Sequence, residues 1–195
     1  TERLFNVYFL NENLGWVVGR NGTILYTDNG GSSWSHQLSP VNTQFTDIDF
    51  TNYPVGWVVG GDILDTGHLL KTTNGGAVWN EISTLLLPWD ATQVQFTSAT
   101  LGWLLTTGSK TLYRTTHGGN DWVIAYVASS DTSFLSMKFV NNTTGFISTN
   151  RNTMYRTNDG AITWARFSTL GYLDPIFFAD SLRGWGADNP SGQMY

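Results

Sequence analysis

An all-β fold of repeated four-stranded antiparallel sheets is what this 195-residue sequence predicts, and three observations carry the prediction. A Gly-aromatic pair recurs at Gly15-Trp16, Gly56-Trp57, Gly102-Trp103, Gly145-Phe146 and Gly184-Trp185, with spacings of 41, 46, 43 and 39 residues. A second signature follows each of the first four pairs, running Thr27 to Trp34, Thr72 to Trp79, Thr115 to Trp122 and Thr157 to Trp164. Between these landmarks lie short runs of β-branched and aromatic residues bounded by turn signals, with no sustained helical period. A fixed period of this length marks a repeat architecture.

The first unit shows how each element is read. Phe5 to Leu10 is predicted as a first strand and Asn11 to Asn13 as a turn. Gly15 to Gly19 follows as a second strand, closed by Asn21-Gly22, a dipeptide suited to a hairpin turn with positive φ at both central residues. Thr23 to Thr27 is the third strand; Asp28 to Gly31 turns the chain with glycines that reach positive φ without a Cβ penalty; a fourth strand starts near Trp34. Units are placed at approximately 5–40, 44–84, 91–128, 134–168 and 172–195, forming one domain over 1–195 or a portion of one.

Such a sheet has two apolar faces, and stacking neighbours face to face around an axis buries both, as in the blades of a β-propeller. A β-solenoid is the competing all-β architecture; the hairpin turns and a period near 43 disfavour it, because solenoid coils are shorter. The fifth unit stops at Tyr195, before its copy of the second signature, leaving four complete units and a truncated fifth. An unclosed sheet leaves faces and edges exposed, so the expectation is a portion of a propeller of six to eight blades, ahead of a ring of five with one incomplete blade.

Composition narrows the function classes. Charged residues make up 13% against a usual value of about 25%, while aromatics reach 14% with nine Trp. A polar but weakly charged surface of this kind is expected of an exported β protein, secreted, at the cell surface or periplasmic. The net charge of −5 and the scatter of the ten basic residues give no electrostatic footprint for nucleic acid. Without Cys there are no disulfides, Cys-ligated zinc, iron–sulfur clusters or thiol catalysis. No apolar run approaches the ~18 residues of a membrane span. Thr1-Glu2-Arg3 lacks a start Met and a signal-peptide pattern, from which a processed chain or a fragment is expected.

The Thr-x-Asn/Asp/His-x-Gly-x-x-Trp units resemble the Asp-box, or BNR, repeat of sialidases, sortilin-like receptors and related propellers. The run Gly15-Trp16-Val17-Val18-Gly19, Gly22-Thr23-Ile24-Leu25 and Thr27 to Trp34 is similar to the photosystem II assembly and stability factor family and its secreted bacterial relatives. The resemblance covers essentially the whole chain. It implies a structural box, whose hydroxyl and carboxylate accept backbone N–H bonds within the turn while the Trp packs between blades. The positions concerned are Thr27, Asn29, Gly31 and Trp34; Thr72, Asn74, Gly76 and Trp79; Thr115, His117, Gly119 and Trp122; and Thr157, Asp159 and Trp164, with Ala161 in place of the glycine. The boxes are degenerate, since only the last keeps the Asp.

Candidate chemistry is sparse. Sialidase catalysis needs an arginine cluster, a Tyr–Glu pair and an acid/base Asp, whereas only Glu2, Glu12 and Glu81 exist and no Arg-Ile-Pro-like motif precedes the boxes. Asp62 and Asp65 in a lengthened hairpin offer two oxygens where calcium needs six to eight, and read as turn residues. His36, His68 and His117 share no metal-ligand spacing. Lys71, Arg114 and Arg156 occupy equivalent places just before the boxes, where the first unit has Tyr26. They would form a cationic binding arc along one rim, or pack their stems at blade junctions with the heads solvated. Leu85-Leu86-Leu87-Pro88-Trp89-Asp90 is unusually apolar for a connection; Trp89 and the leucines would anchor a partner if exposed, or belong to inter-blade packing. The sequons at Asn21, Asn141 and Asn142 read as turn residues.

The function expected is a non-enzymatic, exported interaction or scaffold propeller without metal or cofactor, binding a protein partner. The family resemblance adds an immature membrane protein as that partner and, for a photosynthetic host, a thylakoid-lumen location. The alternatives are a glycoside hydrolase whose active carboxylates lie elsewhere, and a carbohydrate-binding propeller with Trp89 as a stacking platform.

Overall fold

The computed structural model describes residues 2–61, 66–82, 87–88, 90–129, 131–169 and 171–188. Among them there are strands and turns but no helix. β1 (Leu4–Phe9), β2 (Gly15–Gly19), β3 (Ile24–Thr27) and β4 (Ser35–Gln37) form one sheet in sequence order. β5 (Phe45–Asn52), β6 (Val55–Gly61), β7 (Gly67–Thr72) and β8 (Asn80–Glu81) form the second. The third contains β9 (Ala91–Phe96), β10 (Gly102–Thr106), β11 (Thr111–Thr115) and β12 (Val123–Val127); the fourth contains β13 (Phe134–Phe139), β14 (Gly145–Thr149), β15 (Thr153–Thr157) and β16 (Ala165–Ser168). β17 (Leu173–Phe178) and β18 (Gly184–Asp188) pair as the start of a fifth, and its expected third strand lies outside the described residues.

The predicted Asn21-Gly22 turn takes φ of 55° and 68°, the two positive values a type I′ hairpin requires, and Thr23 N donates to Arg20 O at 3.0 Å. The fourth strand begins at Ser35, next to the expected start near Trp34, whose ring lies edge-on to Phe9 at 5.9 Å.

The chain divides into two compact units, one of Thr1–Leu104 with Thr115–Trp122 and the other of Leu105–Arg114 with Val123–Tyr195. In the first, the buried core includes Trp16, Ile24, Phe45, Phe50, Leu70 and Trp79. Its organising contact repeats. Trp16 stacks on Phe50 with centroids 3.8 Å apart, and Trp57 stacks on Phe96 at 3.5 Å. On its other side each Phe ring covers the glycine of its own second strand: a Cβ on Gly56 would lie 2.4 Å from Phe50, and one on Gly102 would lie 2.5 Å from Phe96. The Gly-aromatic pair therefore has two separate tasks. The glycine admits the phenyl ring of its own blade, and the indole beside it covers the phenyl ring of the next. Each stacked pair contributes about 0.5–1.5 kcal/mol beyond its burial.

Polar groups fix the same junctions. Asn6 Nδ2 donates to Asp47 Oδ1 at 2.6 Å, and Asp47 and Asp49 accept the backbone N–H groups of Val94 and Phe96 at 2.9 and 2.6 Å. The Tyr8 hydroxyl donates to Phe50 O, and burial pushes its pKa up to about 12.

The second unit repeats the scheme. Phe146 stacks on Phe178 at 3.7 Å and 4°, while Phe139 and Phe178 cover Gly145 and Gly184, where a Cβ would lie 2.3 Å away in each case. Tyr126 lies 6.0, 5.4 and 5.9 Å from the rings of Phe134, Tyr155 and Trp164.

Candidate partner-binding surface

The four box loops share the threonine half of one hydrogen-bond plan and three of them its second half, as their residue types dictate. In the first, Asn29 N and Gly31 N donate to Thr27 Oγ1 at 3.3 and 3.0 Å, and Ser33 N donates to Asn29 Oδ1 at 2.9 Å. The second repeats it with Thr72 accepting from Asn74 and Gly76, and Asn74 Oδ1 from Val78. In the third, Thr115 Oγ1 accepts from His117 N and Gly119 N, while His117 Nδ1 meets Asp121 at 3.0 Å in place of a turn acceptor. In the fourth, Asp159 Oδ1 accepts from Ile162 N and Thr163 N at 3.0 and 2.9 Å. The Thr163 hydroxyl, its strongest partner, helps hold the Asp159 carboxyl down to about pKa 2. Ala161 keeps the glycine-like backbone at φ 74°, with its N–H bonded to Thr157 Oγ1 at 3.0 Å. The box tryptophans turn their edges to the strand-one phenyl rings: Trp79 to Phe50 at 6.0 Å, Trp122 to Phe96 at 5.9 Å and Trp164 to Phe139 at 6.3 Å.

The basic residues before the boxes are half-buried, and Lys71 and Arg156 form rungs beside strand-two aromatics. Lys71 lies opposite Trp57 in register, with Nζ 5.6 Å from the indole centroid. Its ammonium also donates to Gly118 O at 2.6 Å, and burial pulls its pKa below the usual lysine value. The Trp57 indole N–H shares that carbonyl at 3.3 Å. Arg156 lies opposite Phe146, 5.6 Å from the ring centroid, and its Nε donates to Asn158 Oδ1 at 3.1 Å. Arg114 pairs with Val123, and its Nε is buried with no hydrogen-bond partner among the described residues. Tyr26 takes the same place over Trp16.

Trp89 lies outside the described residues, as do Leu85, Leu86, Asp62 and Asp65. Leu87, counted among the apolar anchors if exposed, is instead buried and bridges to Gly67, whose N–H donates to its carbonyl at 2.9 Å. A polar cavity of about 310 Å³ is lined by Arg20, Asn21, Asn42, Thr43 and Gln44. His68 meets Glu81, and His117 meets Asp121; among the described residues no three His, Asp or Glu side chains converge as metal ligands.

Residues 1–133 match the family described as photosynthesis system II assembly factor YCF48. The chain belongs to this family. Among its relatives is the photosystem II assembly lipoprotein Ycf48 of Synechococcus sp. (strain CC9902), 30% identical over 125 residues, which are 60% of this chain and 35% of the relative. The YCF48-family chain thus spans about a third of the length of that relative. A structure of YCF48 bound to a D1 peptide aligns over 94% of this chain and 88% of its own with TM-score 0.57 and 15% identity. An ancestral GH74 enzyme aligns over 90% of this chain and 26% of its own with TM-score 0.72 and 15% identity. At these identities the structural matches establish the β-propeller fold, and the family rests on the sequence match.

Sequence reasoning missed the strand-one phenylalanines of this YCF48-family chain, although a signal was present. Phe9, Phe50, Phe96, Phe139 and Phe178 each precede the Gly of a Gly-aromatic pair by six residues. It also missed Gln37, whose amide donates to Gly75 O at 2.9 Å and accepts from Trp79 Nε1 at 3.1 Å. Only the first unit has Gln there, so no repeat marks it.

Proposed function

We propose that this chain is a non-enzymatic, exported propeller module that binds an extended segment of a protein partner, of the kind YCF48 binds in its complex with a D1 peptide. The observation that carries this reading is the family match over residues 1–133. The chemistry of the chain agrees with it. Asp47 and Asp49, adjacent carboxylates on a first strand, are engaged by backbone N–H groups, and the box side chains hold their own loops. An exported location, periplasmic or lumenal, fits both the weakly charged composition and the lipoprotein relative.

Lys71, Arg114, Arg156 and Trp89 are the proposed contact residues, the two arginines ahead of the lysine. The Lys71 ammonium is tied to Gly118 O and Arg156 Nε to Asn158 Oδ1, but the planar guanidinium forks of Arg156 and Arg114 are better suited to a peptide carbonyl or carboxylate than an ammonium is.

Titration calorimetry with a D1-derived peptide and a scrambled control tests the reading. Binding of the first alone is expected, with Arg156→Gln weakening it about tenfold, the worth of one charge-assisted hydrogen bond. Lys71→Gln should lower the melting temperature more than the affinity. Equal binding of the scrambled peptide, or hydrolysis of glycosides by the purified chain, would sink the proposal.

A further inference from the structure

The dipeptide Asn-Gly occurs at Asn21-Gly22, Asn29-Gly30 and Asn74-Gly75. In such a pair the glycine nitrogen can attack the side-chain amide before it, because glycine has no Cβ to hinder the approach; asparagine is a thermolabile residue. Asn29 and Asn74 occupy the box position that the fourth unit fills with Asp159. A box asparagine that lost its ammonia would become the residue the fourth box already carries.

The fold blocks both halves of that reaction. Attack requires the glycine N–H to give up its proton and the asparagine Cγ to swing onto the nitrogen. Gly75 N donates to Pro54 O at 2.8 Å, and Gly30 N donates to Asn13 O at 2.9 Å. The other two boxes repeat this bond, from Gly118 N to Thr100 O and from Gly160 N to Thr143 O. The side chains are tied as well. Asn74 Oδ1 accepts from Thr72 Oγ1 and Val78 N, both at 2.9 Å. Asn29 Oδ1 accepts from Thr27 Oγ1 and Ser33 N at the same distance, and Asn29 Nδ2 donates to Ser33 Oγ at 2.8 Å. Both asparagines nevertheless lie on the surface, so water reaches them once these bonds open.

We propose that Asn74 and Asn29 are latent deamidation sites, locked while their box loops are closed and modified when a loop opens. In the open loop, hydroxide removes the Gly75 N–H proton and the nitrogen bonds to Asn74 Cγ. The side-chain amide nitrogen leaves as ammonia, taking its proton from water. Water then opens the cyclic imide: attack at Cγ gives aspartate, and attack at the main-chain carbonyl gives isoaspartate. The aspartate product closes the box again, as Asp159 does by accepting from Thr163 N and from the Thr163 hydroxyl. Isoaspartate adds a methylene to the main chain and cannot. Each opening that reacts therefore ends in an Asp box or in a permanently broken loop.

Peptide mapping by mass spectrometry, after incubation of the full chain in mildly alkaline heavy-oxygen water with and without urea, tests the lock. Deamidation at Asn74 and Asn29 should be at least about tenfold slower in the native chain, as expected when the open loop is about a tenth or less of the population. Thr72→Ala, which removes an acceptor from the second box, should speed Asn74 several-fold and leave Asn29 and Asn21 unchanged. Thr27→Ala should speed Asn29 alone, and it stands in if the first variant fails to fold. Asn74→Asp should melt close to the wild-type temperature at neutral pH. Equal rates with and without urea overturn the proposal. So does a folded Thr72→Ala chain in which all three asparagines react faster alike, or an Asn74→Asp chain that melts well below the wild type.

Discussion

The hydroxyl of Thr72 shows how much of a repeat unit rests on single atoms. Fully buried, it accepts the N–H groups of Asn74 and Gly76 at 3.2 and 2.9 Å and donates to Asn74 Oδ1 at 2.9 Å. Thr72→Ala leaves a buried N–H unanswered, so a loss of about 1–3 kcal/mol in urea unfolding is expected. Thr72→Val, which keeps the shape and removes the same acceptor, should cost a similar amount, whereas Thr72→Ser should restore most of it. Asp159 makes the fourth box pH-dependent in a way the Asn boxes are not. Its carboxyl titrates at about 2 in the fold, below the ordinary value. The ionised form is therefore the one the fold favours: its contribution is complete above about pH 4 and is lost as the pH falls through about 2. Nuclear magnetic resonance should show the Thr163 amide shifting with that midpoint, and amide exchange in this loop rising below it while the loop at Asn74 stays protected. An Asp159 midpoint near 4 would remove the effect.

At the scale of the element, the Phe–Gly–Trp junction decides why these sequences stack. Phe50 lies between the Gly56 position, where a Cβ would intrude to 2.4 Å, and the Trp16 indole at 3.8 Å, so neither side can give way. Gly56→Ala is expected to destabilise the chain by about 1–3 kcal/mol through overpacking. Coupling is the sharper test. Once Phe50 is shortened to Leu the added methyl has room, so Gly56→Ala should cost less in the Phe50→Leu background, and a double-mutant cycle in guanidinium should give a clear non-additive term. Additivity would mean that the ring and the glycine do not compete for the same space.

These junctions also explain what was legible in the sequence. Gly-aromatic pairs, boxes and Asn-Gly turns depend on residue type at fixed local spacing, so strands and turns could be read within a residue or so, as at β2 and the Asn21-Gly22 hairpin. Partners on different units were not legible, because no local spacing states that Trp16 meets Phe50 rather than Phe9, or that the Lys71 ammonium reaches Gly118. Leu87 misled for the same reason, an apolar connection being equally compatible with an exposed anchor and a buried bridge until Gly67 is seen beside it.

For the whole molecule, a chain of stacked repeats should behave as a nearly one-dimensional system, with stability set by each sheet and its neighbour contact. Phe178 supplies such a contact at the last described pair: its ring lies 3.7 Å from Phe146 and covers Gly184, beside the buried Ile176. Phe178→Ala removes both the stack and the glycine cover, and because the ring is half-buried the expected loss falls below the about 3–5 kcal/mol of a fully buried aromatic. Because the effect travels through neighbour contacts, it should be uneven along the chain. Amide exchange ought to accelerate most in β17 and β18, next in β14, which carries Phe146, and least in β5 to β7 of the first compact unit. A uniform rise across all sheets would instead mean that the repeats unfold as one cooperative block. The pattern bears on binding as well: if Arg156, over the Phe146 ring, contacts the partner peptide, Phe178→Ala should weaken that affinity although Phe178 touches no ligand. Partner binding to the variant should in turn slow exchange in β14, since the two effects are linked through the same ring.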